Sequence, residues 1–162
     1  MGKHYEEKRS TLINVPAVRT ISTPITIKGS PSEIWSIVGD FSGFNKFIDS
    51  LERIEMTGEG VRSVRKKFFA DGHVVLEQLN YRDDKEMLME WSLVYTNMDI
   101  GNLWSSMRVN QLDAEHCEAI WDIAGEPWHE TTTQQDFEAF VAGFAQAALK
   151  NVKQIIETAK AA

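Results

Sequence analysis

The sequence predicts an α+β fold in which a curved antiparallel sheet of seven strands wraps around one long C-terminal helix. Turn-forming residues recur at regular intervals between residues 51 and 126, as expected for strands joined by hairpins. Residues 134–160 then show an amphipathic helical pattern long enough to cover one face of such a sheet. A third signal is a pair of short helical segments after the first strand, and these two helices would close one end of the sheet.

Length and charge fit one globular domain. The chain has 162 residues, a formal net charge of −7 at pH 7 and one cysteine, Cys117. Lysine and arginine are dispersed, which argues against nucleic acid or an anionic membrane surface as the main partner. No apolar run of about 18 residues suggests membrane insertion. We therefore expect a cytoplasmic monomer or homodimer, with residues 1–17 as a polar tail and residues 18–162 as the domain.

The first strand and the two short helices are predicted over residues 18–48. Residues 18–28 are rich in β-branched residues, which predicts a strand. Pro24 confines this strand to a sheet edge or a bulge. Ser30 and Glu33 form a capping box around Pro31, which marks a strong helix start, and Gly39 ends that helix. A second short helix after a kink is predicted from apolar residues at helical spacing, namely Phe41, Phe44, Phe47 and Ile48.

Six further strands and the long helix follow. The turn signals lie at residues 58–60, 70–72, 82–85, 98–102 and 113–116. One strand alternates cleanly, and its predicted buried face carries Met87, Met89, Trp91, Leu93 and Tyr95. Thr133 and Asp136 cap the long helix, and its predicted apolar side carries Phe137, Phe140, Val141, Phe144, Ala148, Val152 and Ile155.

Five segments, taken in order, resemble a known superfamily. They are "SPSEIWSIVGDFSGF", "GEGVRSVRKKFFADG", "VVLEQLNYRDD", "SSMRV" and "AIWDIAGEP". Together they are similar to the helix-grip superfamily (SRPBCC type), which contains START lipid-transfer domains, birch-pollen allergens, plant abscisic-acid receptors and bacterial polyketide cyclase-like proteins. The resemblance extends from Ile27 to the carboxyl terminus, and the bacterial cyclase-like branch is the most similar.

A hydrophobic ligand in an internal cavity is the functional expectation. A sheet bent around one helix tends to enclose a hollow, and hollows of this kind bind apolar ligands. The resemblance implies a small hydrophobic molecule, aromatic or polyketide-like, and no cofactor. Strand alternation and the resemblance together predict that the hollow is lined by Phe69, Val75, Glu77, Met89, Trp91, Leu93, Tyr95, Leu103, Ser105, Met107, Phe140 and Phe144.

Glu77 is the candidate catalytic residue, and two roles for it stay open. In the family, the matching glutamate points into the cavity and hydrogen-bonds the ligand or water. A carboxylate in an apolar cavity has a raised pKa, which suits a general acid or base. If residues 71–73 form a three-residue hairpin loop, however, Lys67 lies directly across from Glu77 and the two form a structural ion pair.

Lys67 and two aspartates complete the ligand-binding candidates. Asp49 falls where the resemblance implies a cavity lysine in abscisic-acid receptors, so an anionic ligand would meet the wrong charge and the receptor interpretation loses weight. Asp49 is alternatively a helix-end or turn residue. The direction of Asp122 stays open, because its strand has apolar residues on both faces. No two histidines have ligand spacing on a shared element, so no metal site is expected.

Three classes of function are consistent with this pattern. The first is a cyclase-like enzyme in which Glu77 assists proton transfer. The second is a non-catalytic carrier or sensor with the same cavity. The third is a protein-interaction module with a filled core. Turnover of a substrate separates the first from the second, and the volume of the cavity separates the third from both.

Overall fold

A computed structural model describes residues 21–161, which form one antiparallel sheet, two helices and a 3₁₀ turn. The predicted tail and the predicted strand positions 18–20 lie outside the described residues. The strands are β1 (Ile21–Lys28), β2 (Leu51–Thr57), β3 (Val64–Phe69), β4 (Val74–Asp83), β5 (Leu88–Thr96), β6 (Asn102–Gln111) and β7 (His116–Glu126). The helices are α1 (Pro31–Val38) and α2 (Gln134–Ala161), and the 3₁₀ turn is Phe44–Lys46.

The strand order across the sheet is β1-β7-β6-β5-β4-β3-β2. Neighbouring strands from β2 to β7 are joined as hairpins, as the regular turn signals predict. Strands β1 and β2 occupy opposite edges, so residues 29–50 cross one end of the sheet. Pro24 lies in an edge strand, where its missing N–H costs no ladder hydrogen bond. The predicted fold class is confirmed.

The capping box of α1 forms as predicted. The hydroxyl of Ser30 accepts a hydrogen bond from the Glu33 amide at 3.2 Å, and the Glu33 carboxylate accepts one from the Ser30 amide at 3.3 Å. The predicted second helix shortens to the single 3₁₀ turn. Before that turn, the Asp40 carboxylate accepts hydrogen bonds from the amide and hydroxyl of Ser42. Such local bonds compete with a helical backbone.

Helix α2 packs against β1 and β7 with an apolar stripe that is rotated from the one that the sequence predicts. Its buried residues are Phe137, Val141, Ala145, Ala148, Leu149, Val152 and Ile156. The prediction is wrong for Phe140 and Ile155, which are exposed. Ala145, Leu149 and Ile156 lie on the buried face, which is rotated away from Phe140 and Ile155.

Candidate functional site

Three charged side chains form a buried cluster on the inner face of β3 and β4. Arg65, Lys67 and Glu77 are 0%, 5% and 2% exposed, and we call them the charged cluster. The Arg65 Nε and the Lys67 Nζ each lie 2.9 Å from the same carboxylate oxygen, Oε1 of Glu77. The Arg65 Nη1 also donates a hydrogen bond to the carbonyl of Phe41 at 2.8 Å. One carboxylate thus serves two cations.

The register of the β3–β4 hairpin brings these residues together. Arg65 lies directly across from Glu77, whereas Lys67 lies across from Val75 and reaches Glu77 diagonally. The amide of Phe69 bonds the carbonyl of His73, so the loop is residues 70–72 and the predicted loop 71–73 is wrong by one position. Gly72, with φ of 91°, supplies the left-handed turn that this loop requires.

Arg65 was not predicted as a partner of Glu77. The signal was present, because Arg65, Lys67 and Glu77 all have odd numbers on paired strands whose odd positions face inward. The observed loop 70–72 differs from the predicted loop 71–73 by one residue at each end, so the odd positions of β3 and β4 still share one face. This difference changes only which cation lies directly opposite the carboxylate.

Aromatic rings surround the guanidinium of Arg65. Its Cζ atom lies 3.9 Å from the ring centroid of Phe41, 4.1 Å from that of Phe44 and 5.1 Å from that of Trp91. A cation over aromatic faces in a dry site gains about 2 kcal/mol. The residues that follow α1 therefore cover the buried charge, which explains why apolar residues follow the interrupted helix.

Burial and pairing act in opposite directions on the pKa values of the charged cluster. Burial raises the pKa of Glu77, but the charges of Lys67 and Arg65 outweigh burial and hold that pKa below its ordinary value of 4.5. Burial lowers the pKa of Lys67 from its ordinary value of 10.5, and Glu77 offsets only part of this. Two cations lower the pKa of Glu77, whereas Arg65 and Lys67 share a single carboxylate.

The chemical capacity of the charged cluster follows from its charge. Two cations and one carboxylate leave an excess positive charge in an apolar interior. The Arg65 Nη2 lies 2.9 Å from the Glu77 Oε1 but makes no hydrogen bond of good geometry within residues 21–161. The cluster can polarise a carbonyl oxygen or attract an anion. A carboxylate with a lowered pKa is a poor general base near neutral pH.

Side chains pack closely where the sequence predicts a cavity. The ring of Trp91 lies 5.6 Å from that of Phe44 and 6.1 Å from that of Trp121. Phe144 of α2 lies 6.1 Å from Trp121 and 6.3 Å from Phe69. These edge-to-face and tilted contacts join β3, β5, β7, α2 and the 3₁₀ turn into one aromatic core.

Most of the predicted lining residues do face this interior. They are Lys67, Phe69, Val75, Glu77, Met89, Trp91, Leu93, Leu103, Ser105 and Met107 on the sheet, with Phe144 on α2. Their role in binding a ligand stays a prediction.

Besides Phe140, three predicted residues lie elsewhere. Tyr95 is 49% exposed, because an irregularity in the β4–β5 pairing turns it outward and places Thr96 inside. Asp122 is buried on the sheet face opposite Trp121, and its carboxylate lies 3.9 Å from Arg108. Asp49 is exposed in the turn before β2. None of the three faces the interior.

A small pocket opens between the start of α2 and the β5–β6 connection. It has a volume of about 300 Å³, and we call it the mouth pocket. Its lining consists of His73, Met98, Asp99, Ile100, Thr132, Asp136, Phe137 and Phe140. Phe140 is 53% exposed here, so this predicted residue lines the pocket and not the core.

Asp99 holds the wall of the mouth pocket in place. Its carboxylate accepts hydrogen bonds from the backbone amides of Trp128 and His129, at 3.0 and 2.7 Å, and from the hydroxyl of Thr132 at 2.6 Å. Burial raises the pKa of Asp99, but these bonds outweigh burial and lower it. The bonds tie the β7–α2 connection to the β5–β6 connection.

A larger pocket of about 840 Å³ lies at the other end of β4, and we call it the kink pocket. Its walls are α1, the kinked segment 39–42, the β2–β3 turn and the end of β4. The two pockets share no lining residue.

Within residues 21–161, no group of three or more histidine, cysteine, aspartate or glutamate side chains is placed to hold a metal ion. Neither helix in that part of the chain combines the length and apolar character needed to span a membrane.

Comparisons with known proteins agree with the fold. Residues 18–157 match the family described as polyketide cyclase / dehydrase and lipid transport. The protein XoxI from Bacillus cereus is 22% identical, with a TM-score of 0.78 over 86% of this chain and 96% of that chain. An aromatase/cyclase from Streptomyces sp. R1128 is 17% identical, with a TM-score of 0.71 over 85% and 92%.

A START superfamily protein from Mycobacterium smegmatis is also similar, with 12% identity and a TM-score of 0.74 over 85% of this chain and 97% of that chain. At these identities the structural likeness establishes the fold alone. No curated protein sequence matches the chain significantly.

Proposed function

This chain belongs to the polyketide cyclase / dehydrase and lipid transport family, and from that membership we propose that it binds a small hydrophobic molecule, aromatic or polyketide-like, at the mouth pocket. The observation that carries the proposal is an apolar pocket between sheet and long helix with Phe140 exposed inside it. The family description names polyketides and lipids, and an aromatic ring is exposed at a concave site. Both support a hydrophobic ligand.

The lining of the mouth pocket suits an apolar ligand with few polar groups. Met98, Ile100, Phe137 and Phe140 supply its apolar surface. The oxygens of Asp99 already accept three hydrogen bonds, so Asp99 supports the wall. A volume of about 300 Å³ is the lower end of the range for ligand pockets.

The mouth pocket adjoins the predicted interior lining. The backbone of Phe69 is hydrogen-bonded to His73 of the pocket, and its ring lies 6.3 Å from Phe144. Phe137 belongs both to the pocket lining and to the core. A ligand longer than the mouth pocket would extend past Phe137 and Phe69 by displacing rings of the aromatic core.

A neutral fluorescent probe tests the proposal. N-phenyl-1-naphthylamine should bind the wild type and raise the melting temperature in a concentration-dependent way. The Phe140→Ser variant should weaken binding by about five- to thirtyfold, because burying an aromatic side chain contributes about 1–2 kcal/mol.

Ile155→Ser is the matched control for this test. It also replaces an exposed apolar residue of α2, but it lies about 22 Å along the helix from Phe140. It should bind the probe as the wild type does. Equal affinities in the Phe140→Ser variant and the wild type would contradict the proposal.

Proton transfer is the second candidate function, and the charged cluster is the observation that favours it. Glu77 was predicted either to be the acid-base group or to pair with Lys67, and its lowered pKa suits it better to hold the two cations. Burial lowers the pKa of Lys67 towards neutral pH, which makes its amine better suited to proton transfer than an exposed lysine. Arg65 can polarise a carbonyl.

Turnover of a poly-β-ketone tests this second function. If the cluster is catalytic, Lys67→Met should lower the cyclisation rate per folded molecule by about 10²- to 10⁴-fold, with ligand affinity little changed. The rate should be unchanged in Ile155→Ser. Without turnover in the wild type, binding at the mouth pocket indicates a carrier or sensor.

A further inference from the structure

The kink pocket combines an apolar floor with an acidic rim. The buried side chains of Trp35, Phe41 and Leu79 form the floor, and Met56 is 38% exposed beside them. A volume of about 840 Å³ lies in the upper part of the range for ligand pockets. The lining therefore offers enough apolar surface to hold an organic molecule.

The charges of the lining do not balance. Asp40, Glu59 and Asp84 are acidic, and Arg82 is the single basic residue of the lining. Lys46 approaches Asp40 to 3.5 Å from outside the lining, but its side chain is largely exposed and the pair is weak. With Lys46 counted, the lining keeps one excess negative charge at its rim, whereas the excess positive charge of the charged cluster lies behind the Phe41 ring.

Arg82 is not available to an incoming anion. Its guanidinium contacts the Asp84 carboxylate at 2.7 Å, donates a hydrogen bond to the carbonyl of Gly39 and lies 5.2 Å from the ring centroid of Trp35. The Trp35 indole N–H also donates to Asp84 at 2.9 Å. The pocket wall thus already holds one cation between a carboxylate, a carbonyl and an aromatic ring.

We propose that the kink pocket is a second binding site, for a hydrophobic molecule that carries a positive charge, such as an arylalkylammonium ion. The apolar part would lie on Trp35, Phe41 and Leu79, and the ammonium would lie at the rim near Asp40 and Glu59. This site is separate from the mouth pocket, so it adds a ligand class to the neutral hydrophobic ligand proposed there.

Two dansyl probes with opposite charge test the proposal. Dansylcadaverine carries an ammonium and dansylglycine a carboxylate on the same fluorophore. Dansylcadaverine should bind about three- to tenfold more tightly, and the difference should shrink at high salt. Glu59→Gln should weaken dansylcadaverine binding by about two- to fivefold, and Glu59→Gln with Asp40→Asn should weaken it further.

Glu55→Gln is the matched control for charge. It removes an exposed carboxylate from β2, one residue from Met56 but outside the lining, and should leave the affinity unchanged. The nuclear magnetic resonance signal of the Trp35 indole N–H should shift on titration with dansylcadaverine. Phe140→Ser should not alter this titration, which separates the kink pocket from the mouth pocket.

Three results would overturn the proposal. They are equal affinities for the two probes, an unchanged affinity in Glu59→Gln, and a dansylcadaverine titration that is lost in Phe140→Ser. The last result would assign the probe to the mouth pocket.

Discussion

At the scale of single residues, one carboxylate neutralises two buried cations, so Glu77 is the sensitive member of the charged cluster. Glu77→Gln preserves the shape but leaves Arg65 and Lys67 without an anion. We expect a loss of about 3–5 kcal/mol in the free energy of unfolding, measured by urea denaturation at neutral pH. Glu55→Gln, which removes an exposed carboxylate paired with Arg53, should lose less than about 0.5 kcal/mol.

Because Arg65 and Lys67 share the Glu77 carboxylate, only some combinations of replacements should restore stability. Lys67→Met with Glu77→Leu should stay unstable, because Arg65 is then a buried cation without a carboxylate. Adding Arg65→Met should recover most of the loss, since buried ionic clusters can be replaced by apolar residues of similar size. Full recovery in the double variant would contradict the three-membered cluster.

At the scale of elements, Gly39 sets the end of α1. A Cβ atom at this position would lie 2.5 Å from the ring of Trp35 and 2.6 Å from its carbonyl oxygen, and the backbone oxygen cannot move without breaking the helix end. Gly39→Ala should therefore destabilise the protein by about 1–3 kcal/mol in urea denaturation.

Gly143 in α2 is the control for this prediction. A Cβ atom there meets nothing within 4 Å. Alanine favours a helix over glycine by about 1 kcal/mol, so Gly143→Ala should be neutral or stabilising. Similar losses at the two positions would show that contact with Trp35 does not decide the effect.

Elements were predicted well where local signals decide them and less well where packing does. The capping box at Ser30 and the edge position of Pro24 are local features, and both are observed. The inward face of α2 includes Ala145, Leu149 and Ile156, and the apolar periodicity alone did not indicate this rotation. Tyr95 was misplaced because an irregularity in strand pairing reverses alternation beyond it.

At the scale of the whole molecule, the charged groups predict a loss of stability in acid. The pKa values of Glu77, Asp84 and Asp99 are all below their ordinary values of 4.5, 3.8 and 3.8. Below those values the unfolded chain binds more protons than the folded chain, so stability present at higher pH is lost as these groups protonate. The net charge of −7 at pH 7 adds a repulsion that weakens towards the pI of about 5.1.

Unfolding by urea between about pH 7 and pH 3 measures the balance of these effects. We expect the free energy of unfolding to be level or slightly higher near pH 5 and to fall steeply below about pH 4. A free energy of unfolding that stays level or rises between pH 4 and pH 3 would contradict this role of the paired carboxylates.

The candidate site was predicted in part. Alternation correctly placed Glu77 and Lys67 on one inner face, because strand period survives a shift of the loop. The kink pocket was not predicted, since it depends on how residues 39–42 lie against the β2–β3 turn. The direction of Asp122 was also undetermined from sequence, because both faces of β7 carry apolar side chains.

The edge position of β1 has a consequence for how the chain folds during synthesis. Ile27 pairs with Cys117, so the partner of β1 is made about 90 residues later, or roughly 5–20 s later at typical elongation rates. Strands β2 to β6 can form hairpins in the meantime, whereas β1 must wait for β7. Closure of this long loop should limit the folding rate, as non-local strand pairing does in other small proteins.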